Sequence, residues 1–245
     1  MHHTARTHYR TELLDNRRTD HLDRVASMIA DGEIVAFGFD GIFAFIGDAD
    51  QPMAAQRMAQ AKGQSADKPL ALVCTPECLE EFVDVAAIER GPHAWHKIRQ
   101  LQRSLHGLGV ILPAAAGAVP AYATQNGTVL NVWFELPPDS PARYLHDRLR
   151  SMGLRTMIGT SANLHGEATY VNPARALQVF GGRIAAVVSH DLARVPAHRR
   201  VSSIMVDFCA GQPELVRHGS VPVQELRQQL RRLGLADIAP QCEAA

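Results

Sequence analysis

Lysine is scarce in this chain and unevenly placed. Two of its three lysines, Lys62 and Lys68, fall within Ala61-Lys62-Gly63-Gln64-Ser65-Ala66-Asp67-Lys68-Pro69-Leu70. An ammonium is a compact charge with three donors, suited to a phosphate or a carboxylate. The same residues also suit a solvated helix-to-strand connection. A second cluster is Gly159-Thr160-Ser161-Ala162-Asn163-Leu164-His165-Gly166, which follows an apolar run. Hydroxyls, an amide and free backbone N–H groups at a strand's end fit an oxyanion or phosphate. A structural Asx or Ser/Thr turn uses the same residue types. Other chemistries lack their motifs: there is no Gly-x-Gly-x-x-Gly, no Gly-Lys-Ser/Thr loop and no Gly-x-Ser-x-Gly. His93 with His96, and Cys74 with Cys78, have no third and fourth ligand at metal-site spacing, so no metal centre is expected.

The elements that must position these clusters are readable from periodicity. Thr19 or Asp20 caps a helix with Leu22, Val25, Ala26 and Ile29 on one face, ending at Gly32. Strands are expected over 34–39 and 42–46, a helix from Pro52 to Ala61, and a short buried strand over 70–74. Pro76 to Ile88 and His93 to Leu105 read as helices, and 110–112 and 129–134 as strands. A helix capped at Asp139 or Ser140 runs to Met152, followed by a strand over 155–159 that delivers the second cluster. Asn172-Pro173 opens a helix to Phe180, strands follow over 184–188 and 204–208, and a basic helix spans Val223 to Leu233. Alternating helices and strands mean an α/β (or α+β) chain with one layered core. The expected organisation is a loosely held arm over 1–18, a domain over 19–222, and a basic helix and tail over 223–245.

Composition excludes several classes. The 245 residues carry 25 Lys+Arg against 25 Asp+Glu, which argues against binding nucleic acid or lipid by bulk charge. Four cysteines at irregular spacing do not make a disulfide framework. The first residues lack the apolar stretch of a signal peptide. The uncharged span from Ser104 to Phe134 is broken by Gly107, Pro113, Gly117 and Pro120, so it does not read as a membrane helix. A soluble, cytoplasmic protein is expected.

Taken together, the segments resemble the YrdC-like family of threonylcarbamoyl-AMP synthases. Thr160-Ser161-Ala162-Asn163-x-x-Gly166 is similar to that family's Thr-Ser-Ala-Asn-x-Ser-Gly, and Lys62 to Leu70 to its Lys-x-Arg…Lys-Pro-Leu. Gly32 to Ala49 lies without gaps on the family's opening strand and loop, with Asp40 and Asp48 on matching aspartates. Ser202-Ser203-Ile204-Met205-Val206-Asp207 resembles Ser-Thr-Val-Val-Asp, and Val216-Arg217-His218-Gly219 resembles Leu-Arg-x-Gly. The matches keep family order over roughly residues 20–222. The resemblance implies an open, twisted mixed β-sheet with flanking helices around a concave, positively charged cavity. It also implies ATP, with Mg2+, threonine and bicarbonate as reactants for a threonylcarbamoyl-adenylate that feeds adenosine-37 modification in tRNA. Lys62 and Lys68 would then face phosphates or carboxylates, Ser161 and Asn163 would hold nucleotide or substrate, and Ser203 and Arg217 would line the same cavity.

Departures from the pattern share a direction. The family's Pro-Thr-Asp-Thr-x-Tyr-Gly stands here as Gly38-Phe39-Asp40-Gly41-Ile42-Phe43-Ala44, and Pro-Gly-Pro-x-Thr as His106-Gly107-Leu108-Gly109-Val110. Gln64 replaces an arginine, Val132 or a neighbour replaces another, and His165 stands where serine is usual. Losing two buried charge-assisted contacts removes about 3–6 kcal/mol of binding or transition-state stabilisation. Three readings follow. One is a divergent synthase whose Phe39, Phe43 and Phe45 shape a different pocket. Another is a non-catalytic module binding nucleotide, double-stranded RNA or tRNA through Arg227, Arg231 and Arg232, or a partner protein. The third is a carbamoyl-transfer accessory that works with a partner chain.

Overall fold

The computed structural model describes residues 10–39, 41–65, 68–133, 139–189, 195–197 and 200–239. Among the described residues eleven strands form one mixed sheet: β1 (Glu12–Asp15), β2 (Val35–Gly38), β3 (Phe43–Asp48), β4 (Ala71–Val73), β5 (Leu108–Pro113), β6 (Thr124–Gln125), β7 (Thr128–Trp133), β8 (Met157–Ser161), β9 (Ala186–Ser189), β10 (Ile204–Asp207) and β11 (Glu214–Arg217). Their spatial order is β1-β9-β2-β3-β8-β4-β7-β5-β10-β11, with β6 hairpinned onto β7. Pairs β1–β9, β9–β2, β4–β7 and β5–β10 are parallel, and the others antiparallel.

Six described α-helices flank it: α1 (Thr19–Ala30), α2 (Pro52–Lys62), α3 (Gly91–Ser104), α4 (Pro141–Ser151), α5 (Pro173–Phe180) and α6 (Val223–Leu233). Their ends follow local chemistry. Ser140 Oγ accepts from the Arg143 amide at 3.2 Å, and Asn172 Oδ1 accepts from the Ala174 amide at 2.8 Å. Gly63 ends α2 in the left-handed region at φ 64°, so the chain turns sharply just beyond Lys62.

One sheet face packs against α2, α3, α5 and α6 through a core that includes Phe43, Phe45, Leu72, Ile158, Phe180, Leu226 and Leu230. The other carries Val35, Phe37, Ile46, Val73 and Met157, which pack with α1 and α4. Toward β7, β5 and β10 the described helices leave this second face open, and a cavity forms there. Among the described residues no helix is long and apolar enough to cross a membrane.

Three expectations need correction. Pro76 to Ile88 is not a helix but two short 3-10 turns, Cys78–Glu81 and Val85–Ala87. Val83 is drawn into a bridge with Ala114, and Asp84 caps the second turn by accepting from the Ala86 and Ala87 amides. The stretch read as an arm contributes β1, whose Leu14 is buried while Leu13 is exposed. Its anchor is Thr11, whose hydroxyl donates to the Ile184 carbonyl at 2.7 Å. Phe43 and Phe45 lie in the core, Phe45 edge-on to Phe180, and do not shape a pocket. Strand alternation instead turns Ile42 and Ala44 toward the open face.

Candidate functional site

The cavity, of about 570 Å³, sits over the ends and open faces of β3, β4, β5, β7, β8 and β10. Its floor is apolar, with Ile42, Ala71, Val73, Leu130, Val132 and Met205 among its walls. Gly159 keeps the floor low: a Cβ there would stand 2.9 Å from both the Phe45 carbonyl oxygen and a Val73 methyl. The polar side is built from Lys68, Thr160, Ser161, Ser202, Ser203 and Arg217. The β6–β7 hairpin closes one edge with Gln125 and Thr128, turning at Asn126-Gly127 with φ of 51° and 76°.

Of the six residues singled out in the sequence, Lys68, Ser161, Ser203 and Arg217 line the cavity. Lys62 and Asn163 stand behind it. Lys62 is 4% exposed, and its Nζ donates to the Ser161 carbonyl at 2.5 Å and to Asn163 Oδ1 at 3.0 Å. Ser161 Oγ donates to the same Asn163 oxygen at 2.6 Å. Asn163 Nδ2 in turn donates to the Leu164 and Glu167 carbonyls at 3.0 and 2.8 Å. The return contact is the His165 amide, which donates to the Lys62 carbonyl at 3.1 Å. The lysine at the end of α2 thus staples the loop after β8, and the imidazole of His165 is exposed.

On the opposite wall, Arg217 Nε and Nη2 both donate to the Ser203 carbonyl, at 3.1 and 2.8 Å. This leaves the guanidinium with further N–H groups for a ligand. Gln64 is not on the lining, and Val132 is part of the floor. Ser202 enters the sequence reading only as part of the Ser202–Asp207 motif, and neither Gln125 nor Thr128 belongs to any of the motifs. Asn126-Gly127 between two strands is the one signal that points toward the last two. Asp48 lies at the end of β3, where its buried carboxyl is raised above its ordinary value by desolvation. Asp40 lies outside the described residues.

Burial, reinforced by the charge of Lys68, pulls Lys62 from the ordinary 10.5 down to about 8. Between those values the unfolded chain binds more protons, so burying the ammonium costs stability fully below about pH 8 and progressively less toward 10.5. A bound anion favours the protonated amine, so its binding takes up a proton once Lys62 begins to titrate. The expected result is an affinity for an anionic ligand that falls as pH rises through about 8, measurable by calorimetric titration across that range.

A lining with two cations, several hydroxyls and no carboxylate among the described residues suits a polyanion. It offers no acidic ligand for Mg2+, which would enter on the ligand's own phosphates. The family model Sua5_yciO_yrdC, described as telomere recombination, matches residues 27–219. The chain belongs to the Sua5/YciO/YrdC family. The threonylcarbamoyl-AMP synthase of Pyrococcus abyssi (strain GE5 / Orsay) is 25% identical over 205 residues, which are 83% of this chain and 55% of that protein. The chain therefore spans about half the length of this curated Sua5/YciO/YrdC relative. P. abyssi Sua5 complexed with L-threonine matches with a TM-score of 0.75 at 21% identity, over 96% of this chain and 64% of that one. E. coli YciO matches at 0.71 and 16% identity, over 89% and 98%. Full-length HypF in its phosphate- and nucleotide-bound form matches at 0.65 and 20% identity, over 81% and 24%. At these identities the structural likeness establishes the shared fold.

The basic helix α6 packs on α3, with Leu226 and Leu230 fully buried. Arg227 and Arg231 lie 3.5 and 3.8 Å from Asp237, so part of its positive charge is already balanced.

Proposed function

We propose that the cavity binds a nucleotide and an amino acid, and that the chain carries out threonylcarbamoyl-AMP synthase-like chemistry. In that reaction the amino group of threonine and bicarbonate form a carbamate, whose carboxylate attacks the α-phosphate of ATP, releasing pyrophosphate and water overall. The observation that carries this reading is the convergence of Lys68, Arg217, Ser161 and Ser203 on one cavity wall above an apolar floor. The cations would meet the phosphates, and the hydroxyls would orient the carbamate or the ribose. The floor would exclude water from the mixed anhydride.

The test is pyrophosphate release from ATP and bicarbonate across a panel of amino acids, run beside calorimetric ATP titration. Turnover with one amino acid supports the reading. Arg217→Met is expected to weaken ATP binding about tenfold or more, because it deletes one charge-assisted donor pair. A second reading, a module that binds nucleotide without turnover, is favoured by Gln64, and Val132 or a neighbour, standing where the family pattern has arginines. ATP binding with no pyrophosphate release would select it, and absence of both would reject the two together.

A further inference from the structure

The floor of the cavity is not flat, and strand register explains its shape. Ala71 on β4 pairs with Gly159 on β8, so two small lining positions stand side by side. Leu72 aligns with Asn131, which sets Ala71 beside Leu130 and Val73 beside Val132. The result is a hollow at Gly159 and Ala71, bordered by the longer side chains of Val73 and Leu130. Beyond it, Leu130 and Met205 lean together over Gly109, where an added Cβ would stand 3.4 and 3.2 Å from their carbons. Between Leu130 and Val132, the fully buried Asn131 faces away and bonds to the Cys74 backbone. Main-chain groups of these strands point sideways into the ladders, so the described hollow presents carbon alone.

Ser161 stands at one end of the hollow, two residues along β8 from Gly159 and about 6–7 Å away. Asn163 Nδ2 donates to two carbonyls, which leaves Oδ1 as its acceptor, and the Ser161 hydroxyl gives that oxygen its only proton. Toward the cavity Ser161 Oγ is therefore an acceptor, suited to an N–H. An amino nitrogen bonded there sets the side chain of the same amino acid over Gly159. We infer that the amino acid of the synthase-like reaction proposed above carries an aliphatic side chain of valine to leucine size, which fills this hollow. The inference rests on that reading and changes only the group on Cα. The carbamate oxygen still bonds to the α-phosphorus of ATP as the bond to pyrophosphate breaks.

Threonine and valine make the sharpest comparison, because they share a shape and differ by one hydroxyl. A methyl placed against Ala71, Val73 and Leu130 leaves water at a gain. A hydroxyl in the same place gives up its water and finds no partner among the described lining residues of the hollow. Adenine fits it less well for the same reason, since its ring nitrogens and amino group would be buried there unpaired. The cations stay free for the phosphates, as Lys68 and Arg217 lie outside the hollow.

The experiment gives the full chain ATP, bicarbonate and alanine, valine, leucine, phenylalanine or threonine. It reads pyrophosphate release and, by calorimetry in the presence of ATP, binding of the same amino acids. Valine is expected to exceed threonine at least about tenfold in kcat/KM or affinity, and leucine to exceed alanine by a similar factor. Ala71→Val fills the hollow and should lower leucine about tenfold while alanine changes less than about threefold. If that variant does not fold, Leu130→Ala, at a half-buried position, widens the hollow and should move the preference from leucine toward phenylalanine. Turnover with threonine equal to or better than valine would overturn the inference and leave the synthase reading standing. Valine and leucine bound without pyrophosphate release would support the aliphatic site while rejecting turnover. Binding of no amino acid would overturn the inference, and so would an unchanged size preference in the folded variant.

Discussion

Lys62→Ala is expected to weaken binding of an anionic ligand by about a hundredfold and to lower the thermal midpoint by about 5–10 °C. The size follows from what Nζ holds. It satisfies the Ser161 carbonyl and Asn163 Oδ1 together, and those acceptors belong to the loop that presents the Ser161 side chain to the cavity. Removing the ammonium strands both acceptors in a poorly solvated place and releases the loop from α2. Leaving two poorly solvated acceptors without a donor costs about 2–3 kcal/mol. Differential scanning fluorimetry and ligand titration on the same variant measure the two effects. A fall in affinity with an unchanged midpoint would mean that Lys62 acts on the ligand directly and not through the loop.

Gly219→Ala is expected to be the most damaging single methyl in the chain, costing more than about 3 kcal/mol. The cause is crowding: a Cβ at Gly219 would lie 2.1 Å from the Ile204 amide nitrogen and 2.3 Å from the Ser203 carbonyl carbon. Both contacts are backbone, so neither can swing aside. The crossing is held by the Ser220 amide, which donates to the Ser202 carbonyl at 3.0 Å. Pushing these segments apart displaces the Ser203 carbonyl that anchors Arg217, so stability and ligand affinity should fall together. Ser220→Ala is the matched control. Its hydroxyl is buried without a partner, and its loss should change stability by no more than about 0.5 kcal/mol. Chemical denaturation of the three proteins separates the outcomes, and equal midpoints for Gly219→Ala and the parent would contradict the crowding argument.

The sequence makes some features plain and hides others for identifiable reasons. Helices announce themselves through caps and periodicity, as at Ser140 and Asn172, because those signals act within four residues. The 3-10 turns near Cys78 do not, since the bridge from Val83 to Ala114 that interrupts a helix there is a long-range contact. Strand β1 is hidden because one buried side chain, Leu14, leaves too little alternation to read. The cavity residues Lys68, Ser161, Ser203 and Arg217 are visible as motif positions. The inward direction of Lys62 is not, because it depends on β8 arriving beside α2 from 99 residues away. The mistaken choice of Phe43 and Phe45 as pocket residues is a parity error. In a strand, a shift of one residue exchanges every inward side chain for an outward one.

That parity has a wider consequence for how this protein can change. Along β3, β4 and β7, one set of alternate side chains meets the helices, and the other set meets whatever enters the cavity. The two sets share a backbone but few neighbours. Exchanges at Ile42, Leu130 or Val132 therefore remodel the recognition surface while Phe43, Leu72 and Val129 continue to hold the scaffold. Selection for a new ligand and selection for folding can act on this sheet as nearly separate inheritances, interleaved residue by residue.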